Sequence, residues 1–169
     1  MEKPNLVDLR KTLDKEDAIN LIEWLSDDDI IIFMNEDKKI IKFLEQILEN
    51  RQEVLLTYYL NQRNIFYMID YQNEPVGFVS LKPKGNKKCE IVIAVGKKDL
   101  WGKKVGKRSL NKILKLAFEN FEFEELEAKI HYKNLRSLSL FKNNGFKQVK
   151  AEESSDYKKL AFTEKDYYC

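Results

Sequence analysis

A chain of 169 residues is long enough for one domain with a hydrophobic core, so we expect a single domain over 1–169. Its 43% hydrophobic and 34% charged residues are ordinary for a folded protein, and a net charge of +2 does not argue for a nucleic-acid partner. The sequence has no apolar run of ~18 residues, no signal-peptide core, and two cysteines, Cys89 and Cys169, that fit no disulfide or metal pattern, so we expect a cytoplasmic protein without a membrane partner or a metal.

The first part of the chain predicts one strand followed by helices. Residues 5–13 are typical of a strand, and Asp14 is a candidate N-cap for a helix whose apolar residues recur at helical spacing up to Leu25. The acidic run at 26–29 ends this helix. The short apolar run at 30–34 fits either a helix or a strand.

The pattern then changes from helical to strand-like. Apolar spacing predicts a second helix over 40–48, and residues 52–62 favour a further helix. Three strand-like segments follow at 64–71, 75–82 and 89–95, separated by turn signals. This part of the chain therefore predicts an antiparallel meander of three strands.

The last third of the chain alternates between helices and strands. One face of 103–119 is apolar, which predicts a helix packed on a sheet. A strand at 126–132 and a helix at 135–144 follow, and 146–152 with 157–163 favour a closing hairpin. The whole order predicts a mixed α/β sheet.

A turn with two glycines joins the strand at 89–95 to the next helix. Gly102 and Gly106 lie in this turn, and several lysines surround them. Backbone amides and cations at a helix N-terminus directly after a strand can bind a diphosphate. A second polar element begins at Asn134, after the next strand, so the two together suggest a cofactor with a phosphate end and a reactive end. The alternative is a plain strand-to-helix turn.

Two motifs in this region resemble the GNAT family of acyl-CoA-dependent N-acetyltransferases. Residues 101–106 (Trp-Gly-Lys-Lys-Val-Gly) occupy the place of the family's Gln/Arg-x-x-Gly-x-Gly/Ala loop, and 134–146 is similar to its Asn-x-x-Ser/Ala-x-x-x-Tyr-x-x-x-Gly-Phe signature. The order of elements agrees over nearly the whole chain. The resemblance implies an α/β fold with a mixed, mainly antiparallel, splayed sheet flanked by helices. Within the family it points to the branches that acetylate ribosomal proteins, aminoglycosides or amino sugars.

The resemblance also implies acetyl-CoA as co-substrate. Its peptide-like pantetheine arm would pair with the strand backbone, and its diphosphate would meet the amides of the glycine turn. The implied cofactor-binding residues are Ile93, Ala94, Val95, Trp101, Gly102, Lys103, Lys104, Val105, Gly106, Lys107, Asn134 and Phe141.

Two positions depart from the family pattern. Lys104 stands where the family prefers glycine, and a side chain fits the turn there if φ stays negative. It would then add a charge contact to phosphate, or it would weaken CoA binding. Phe141 stands where family members usually have a tyrosine that protonates the leaving thiolate. Another group or water then supplies this proton, or the chain is a poor enzyme, since losing a general acid costs about 10²–10⁴-fold.

Candidates for the catalytic base and for acceptor recognition are scattered along the chain. Glu90 and His131 are candidate bases; the alternatives are a solvated strand residue and a half-buried structural histidine. Asp27, Asp28 and Phe33 are candidate acceptor-binding residues, because acidic side chains suit a cationic amine. The alternative for the aspartates is a helix terminator with a cap.

We therefore expect an N-acetyltransferase that transfers the acetyl group of acetyl-CoA to a primary amine of a small molecule or protein, as a monomer or homodimer. The alternative is a GNAT-fold protein that binds CoA or a partner without chemistry, which Phe141 and Lys104 favour. A nucleic-acid-binding module is a third possibility, but the aromatic residues are not interleaved with the lysines as stacked bases require, so no nucleic-acid partner is expected.

Overall fold

The computed structural model describes residues 6–31, 38–150 and 155–169. Its strands are β1 Val7–Arg10, β2 Ile65–Tyr71, β3 Glu74–Gly85, β4 Lys88–Val95, β5 Glu125–His131, β6 Lys147–Val149 and β7 Tyr157–Thr163. Its helices are α1 Lys15–Leu25, α2 Asp28–Ile31, α3 Lys39–Glu49, α4 Leu56–Leu60, α5 Val105–Lys115, α6 Leu135–Asn143 and α7 Glu164–Tyr168. The strands form one sheet in the order β1-β2-β3-β4-β5-β7-β6. Within the described ranges, no helix has both the length and the apolar content needed to cross a membrane.

The sheet is antiparallel except where β4 meets β5. These two strands run parallel, and they pair over three positions, the last of which joins Glu90 to Glu127. Beyond this point the two strands separate, although β4 remains paired with β3 as far as Val95. The expected mixed, mainly antiparallel, splayed sheet flanked by helices is therefore confirmed.

Helices cover both faces of the sheet, and each face has its own hydrophobic core. The core beneath α1, α3 and α4 includes Leu21, Leu44, Leu56, Met68 and Phe78. The core beneath α5 and α6 includes Leu110, Ile113, Leu126, Phe146 and Leu160. Because successive strand residues point to opposite faces, β4 contributes Ile91 to the second core and Ala94 to the first.

A charged cluster fixes the start of α1 against the first two strands. Arg10 donates to the Asp17 carboxylate at 2.7 and 2.9 Å and to the Asp70 carboxylate at 2.7 and 3.0 Å. Asp17 is 1% exposed and also completes a capping box with Asp14. The predicted N-cap at Asp14 is therefore confirmed, and the packing of α1 on the sheet depends on an ion pair that sequence periodicity does not reveal.

In the first half of the chain the differences from prediction are mostly in boundaries. The predicted strand at 5–13 is shorter, at Val7–Arg10. The acidic run ends α1 as expected, but it also begins α2 at Asp28. The region 52–62 forms one turn of 3₁₀ helix and then α4, Leu56–Leu60. Part of the apolar run at 30–34 lies outside the described residues.

The hairpin turns are tighter than the turn signals suggested. The β2–β3 turn consists of Gln72 and Asn73, and the β3–β4 turn consists of Asn86 and Lys87, all with φ between 51° and 66°. Two-residue turns with positive φ match the twist of the flanking strands. As a result β3 extends through Gly85, beyond its predicted end.

Later elements follow the prediction more closely. The helix expected over 103–119 begins at Val105 and ends in a π-helical turn at Leu116–Asn120. The closing hairpin is present as β6 and β7, and the short helix α7 after it was not predicted. Its N-cap, Thr163, is the last residue of β7, so the strand pattern masks the capping signal.

Candidate active site

A cavity of about 300 Å³ occupies the gap where β4 and β5 separate. Its walls include the consecutive residues 90–95 of β4 and 128–130 of β5. Because successive side chains of a strand point to opposite faces, these walls belong to both faces of the sheet. The cavity therefore passes through the sheet, and its lining includes Ile30 on the α2 side and Gly106 and Leu140 on the other.

The backbone of β4 has an unpaired edge inside this cavity. The Gly96 N–H donates to the Val76 carbonyl at 2.7 Å, so the backbone groups of Gly96 and Ala94 point toward β3. By the alternation of an antiparallel ladder, those of Ile93 and Val95 point toward the gap. Of the three predicted strand positions, Ile93 and Val95 thus present backbone groups to a ligand, whereas Ala94 is engaged with β3 and its side chain is buried.

The N-terminus of α5 opens onto the same cavity. The first intrahelical bond of α5 joins the Arg108 N–H to the Lys104 carbonyl at 3.0 Å, which leaves the N–H groups of 105–107 without a helical partner. The lining residues of this end are Trp101, Gly102, Lys104, Gly106 and Lys107. Free amides and cations at a helix start favour an anionic ligand.

Two of the predicted cofactor-binding residues in this turn, Lys103 and Val105, are not among the described residues that line the cavity. The Lys103 side chain is exposed outside it, and Val105 is 1% exposed in the hydrophobic core. Lys104 lines the cavity, but its backbone has φ +63° and is therefore left-handed. The prediction that a side chain fits this turn required a negative φ. This explains the glycine preference of the resembling motif at that position.

Helix α6 forms the wall opposite α5. The Asn134 side chain caps it by accepting a hydrogen bond from the Ser137 N–H at 3.2 Å. Gly106 of α5 faces this helix, and a Cβ there would lie 3.3 Å from the Leu140 side chain. A residue larger than alanine at Gly106 would therefore push the two helices apart and change the cavity.

Phe141 lies at the base of the cavity. Its ring is 3% exposed, lines the cavity and packs edge-to-face against Phe146 at 4.9 Å between centroids. The Gly145 cap has φ +94°, and Phe146 is buried, as predicted for the end of this helix. The position of Phe141 therefore suits contact with a ligand, but its side chain has no proton to donate.

An arginine that the sequence did not single out lies at the cavity mouth. The guanidinium carbon of Arg136, in the first turn of α6, lies 3.3 Å from the centroid of the Trp101 ring. The Trp101 Nε1–H in turn donates to the Val95 carbonyl at 2.8 Å. The Trp101 side chain thus joins the β4 backbone to α6. Nothing in the local sequence separates Arg136 from an ordinary surface arginine.

The two candidate bases lie in different surroundings. Glu90 lines the cavity at its closed end, where its carboxylate binds Lys84 Nζ at 2.9 Å. His131 is the last residue of β5, packs against Tyr132 and Tyr157, and is not among the described lining residues. The structure therefore brings Glu90 to the cavity and leaves His131 outside it.

The acidic run lies beside the cavity at the α2 end. Asp27 binds Lys98 Nζ at 2.8 Å, and this hydrogen bond lowers the pKa of the Asp27 carboxyl below its ordinary value. The contact joins the α1–α2 connection to the loop after β4. Asp28 is exposed in the first turn of α2, while the adjacent Ile30 lines the cavity. Phe33 lies outside the described residues.

The chain belongs to the GNAT family of acetyltransferases. The family model for the acetyltransferase (GNAT) domain matches residues 7–147, which run from β1 to β6 and include both motifs and the cavity. No group of three or more histidine, cysteine, aspartate or glutamate side chains in the described ranges is placed to hold a metal ion.

Three similar proteins extend the comparison. Uncharacterized protein MJ1062 of Methanocaldococcus jannaschii is 33% identical over 82 residues, which is 48% of this chain and 17% of that protein, so this chain spans about a sixth of its length. Campylobacter jejuni N-acetyltransferase PseH in complex with acetyl coenzyme A has a TM-score of 0.67, 19% identity and coverage of 94% and 99% of the two chains. Spermidine N-acetyltransferase from Vibrio cholerae in complex with CoA and spermine has a TM-score of 0.76, 15% identity and coverage of 97% and 99%. At these identities the two structures establish the fold.

Proposed function

We propose that this protein transfers the acetyl group of acetyl-CoA to a primary amine. The main support is the cavity that passes through the sheet between β4 and β5, with the free amides of α5 at one end and the α2 side at the other. This arrangement lets two substrates approach one point from opposite faces. Both a pantetheine arm and an amine then fit without displacing each other, as direct transfer requires.

The residues present fit acetyl-CoA in two ways. The unpaired edge at Ile93 and Val95 suits the amides of a pantetheine arm, which would add to β4 like a further strand. The start of α5, with Lys104 and Lys107, suits a diphosphate. When bound, acetyl-CoA supplies an activated acetyl thioester.

The Ile93 N–H has the best position to stabilise negative charge on the acetyl oxygen. An arm that enters from the start of α5 meets Val95, whose carbonyl already accepts from Trp101, before it reaches Ile93, and Ile93 lies nearer to Glu90 along β4. One such donor is worth about 10²–10³-fold in rate. Glu90 is the proposed acceptor of the amine's proton, because no other described residue that lines the cavity carries a carboxylate. Its ion pair with Lys84 at 2.9 Å must open for it to take up this proton.

A second cavity gives the amine substrate a place to bind. It measures about 660 Å³ and is lined on β3 by Phe78, Ser80 and Lys82. Ser80 pairs across the strands with Val92, and Lys82 with Glu90, so the two cavities share one face of the sheet. The acceptor would rest against β3 and direct its amine toward Glu90.

The ion pairs of Asp27 and Asp29 affect which amine acceptors we expect. Asp27 and Asp29 both bind Lys98, at 2.8 and 2.7 Å, so their charge is already balanced by a lysine of the chain. A cationic acceptor must compete with Lys98 for these carboxylates. We therefore propose an acceptor with a single amine, and the assay must compare amino sugars and peptides with polyamines and aminoglycosides.

Calorimetry and thiol release test this function. The Cys169→Ser variant removes the exposed thiol that would react with the reagent. The protein should bind acetyl-CoA and release CoA thiol with at least one amine of the panel. Glu90→Gln should lower kcat by about 10²-fold or more without changing acetyl-CoA affinity. Glu127→Gln, at the cross-strand partner of Glu90, is the matched control and should leave kcat unchanged. No heat with acetyl-CoA would refute the proposal.

A binding role without chemistry is the second candidate function. It is favoured by Phe141, which lines the cavity and has no hydroxyl to protonate a leaving thiolate. Acetyl-CoA binding without thiol release across the whole amine panel would support this alternative.

A further inference from the structure

We propose that Arg136 is a phosphate-binding residue for the nucleotide end of CoA and that Trp101 holds it in position. This inference rests on the proposed function, because it assigns one more contact to the same substrate. It starts from the stack of a guanidinium on an indole at the mouth of the cavity, 3.3 Å from the guanidinium carbon to the ring centroid.

The stack bridges the two walls of the gap. Trp101 follows the carboxyl end of β4, and Arg136 lies in the first turn of the helix that follows β5. Because β4 and β5 are parallel, their carboxyl ends lie at the same side of the sheet. Trp101 and Arg136 therefore line the cavity from both walls at the side where α5 begins.

The geometry leaves the donors of Arg136 available. A stacked guanidinium presents its face to the indole, while its N–H groups point outward in its plane. Among the described residues no carboxylate pairs with Arg136, and partial burial lowers its pKa from the ordinary value without an opposing charge. Arg136 is exposed apart from the face that lies on the indole, so an anion can reach its unpaired N–H groups.

The surrounding charge supports a phosphate as that anion. Lys104 and Lys107 line the same cavity as Arg136 from the opposite wall. Three cations and the unpaired amides at the start of α5 therefore border one cavity. A planar guanidinium recognises two phosphate oxygens at once, which a lysine cannot do.

Binding measurements with three acetyl thioesters test the assignment. Arg136→Ala should weaken acetyl-CoA binding by about 5-fold, because the Arg136 side chain is exposed and solvent screens its contact with a phosphate. It should leave the affinity for acetyl-pantetheine, which has no diphosphate and no nucleotide, unchanged. Acetyl-dephospho-CoA identifies the phosphate: a persisting loss assigns the diphosphate, and an abolished loss assigns the 3′-phosphate. An equal loss with acetyl-pantetheine would overturn the proposal, because Arg136 would then act only on the cavity's shape.

Two further variants test the role of the stack. Arg136→Lys keeps the charge without the planar stack and should recover only part of the affinity. In a Trp101→Leu background, Arg136→Ala should cost less than in the wild type, since the unsupported arginine is already misplaced. Strictly additive losses would overturn the positioning by Trp101.

The control is Lys142→Ala, which removes an exposed cation from the last turn of the same helix and should not change acetyl-CoA affinity. If the wild type binds no acetyl-CoA, the proposed function fails. If the wild type binds it and Arg136→Ala binds equally well, only the present inference fails.

Discussion

Replacing Lys104 with glycine should raise the free energy of unfolding of the protein and lower its affinity for acetyl-CoA. Lys104 has φ +63°, and a left-handed conformation costs a residue other than glycine about 1–2 kcal/mol. Glycine removes that cost but loses about 0.5–1 kcal/mol through its more flexible unfolded state. The net change in the free energy of unfolding is then about 0–1.5 kcal/mol in favour of the variant, or up to about 6 °C in Tm.

Affinity should move the other way, because the ammonium at the cavity is lost. Lys104 is exposed, so solvent screening limits its contact with a phosphate to about 1 kcal/mol, or about 5-fold in Kd. Thermal unfolding and calorimetry with acetyl-CoA measure the two effects. Lys104→Ala retains the positive φ and should lose affinity without gaining stability, whereas Lys103→Ala should change neither. A glycine variant no more stable than the alanine variant would refute the strain argument, and one with wild-type affinity would refute the charge argument.

Three other variants or measurements test separate parts of the structure. Phe141→Tyr places a hydroxyl beside the cavity and should raise kcat in the thiol-release assay by about 10–100-fold. An unchanged kcat would show that protonation of the leaving thiolate does not limit the rate. Asp17→Asn breaks the ion pair with Arg10, whose side chain is about one-third exposed. The free energy of unfolding measured in urea should fall by about 2 kcal/mol, and a fall of only ~0.3 kcal/mol would show that the pair contributes little to stability. Burial raises the pKa of Cys89 to about 12, so a thiol reagent at pH 8 should titrate only Cys169 in the folded protein and both thiols in denaturant.

Local patterns were sufficient to predict the elements around the cavity. The apolar spacing of α5, the strand pattern of β5 and the Asn134 cap with its Gly145 terminator each depend on residues close together in sequence. The splayed sheet was implied by the family resemblance, and the structure shows that the separation lies between the parallel strands β4 and β5.

Contacts between distant residues could not be predicted in the same way. The stack of Arg136 on Trp101 joins residues that are separated by a helix and a strand. The ion pair of Asp27 with Lys98 crosses from the α1–α2 connection to the loop after β4, and it gives this candidate acceptor-binding residue a partner within the chain. Sequence periodicity carries no information on such pairs, because it reports only which face of its own element a residue occupies.

The open edge of β4 depends on how tightly its other edge is held. Gly77 of β3 lies so close to β4 that a Cβ there would be 2.1 Å from the Ala94 carbonyl oxygen. Gly96, just after β4, is covered by the Trp24 ring of α1, which would meet a Cβ at 2.2 Å. These two contacts fix β4 from β3 and from one face of the sheet. The backbone groups of Ile93 and Val95 are therefore held in place before any ligand arrives, and binding need not order this strand.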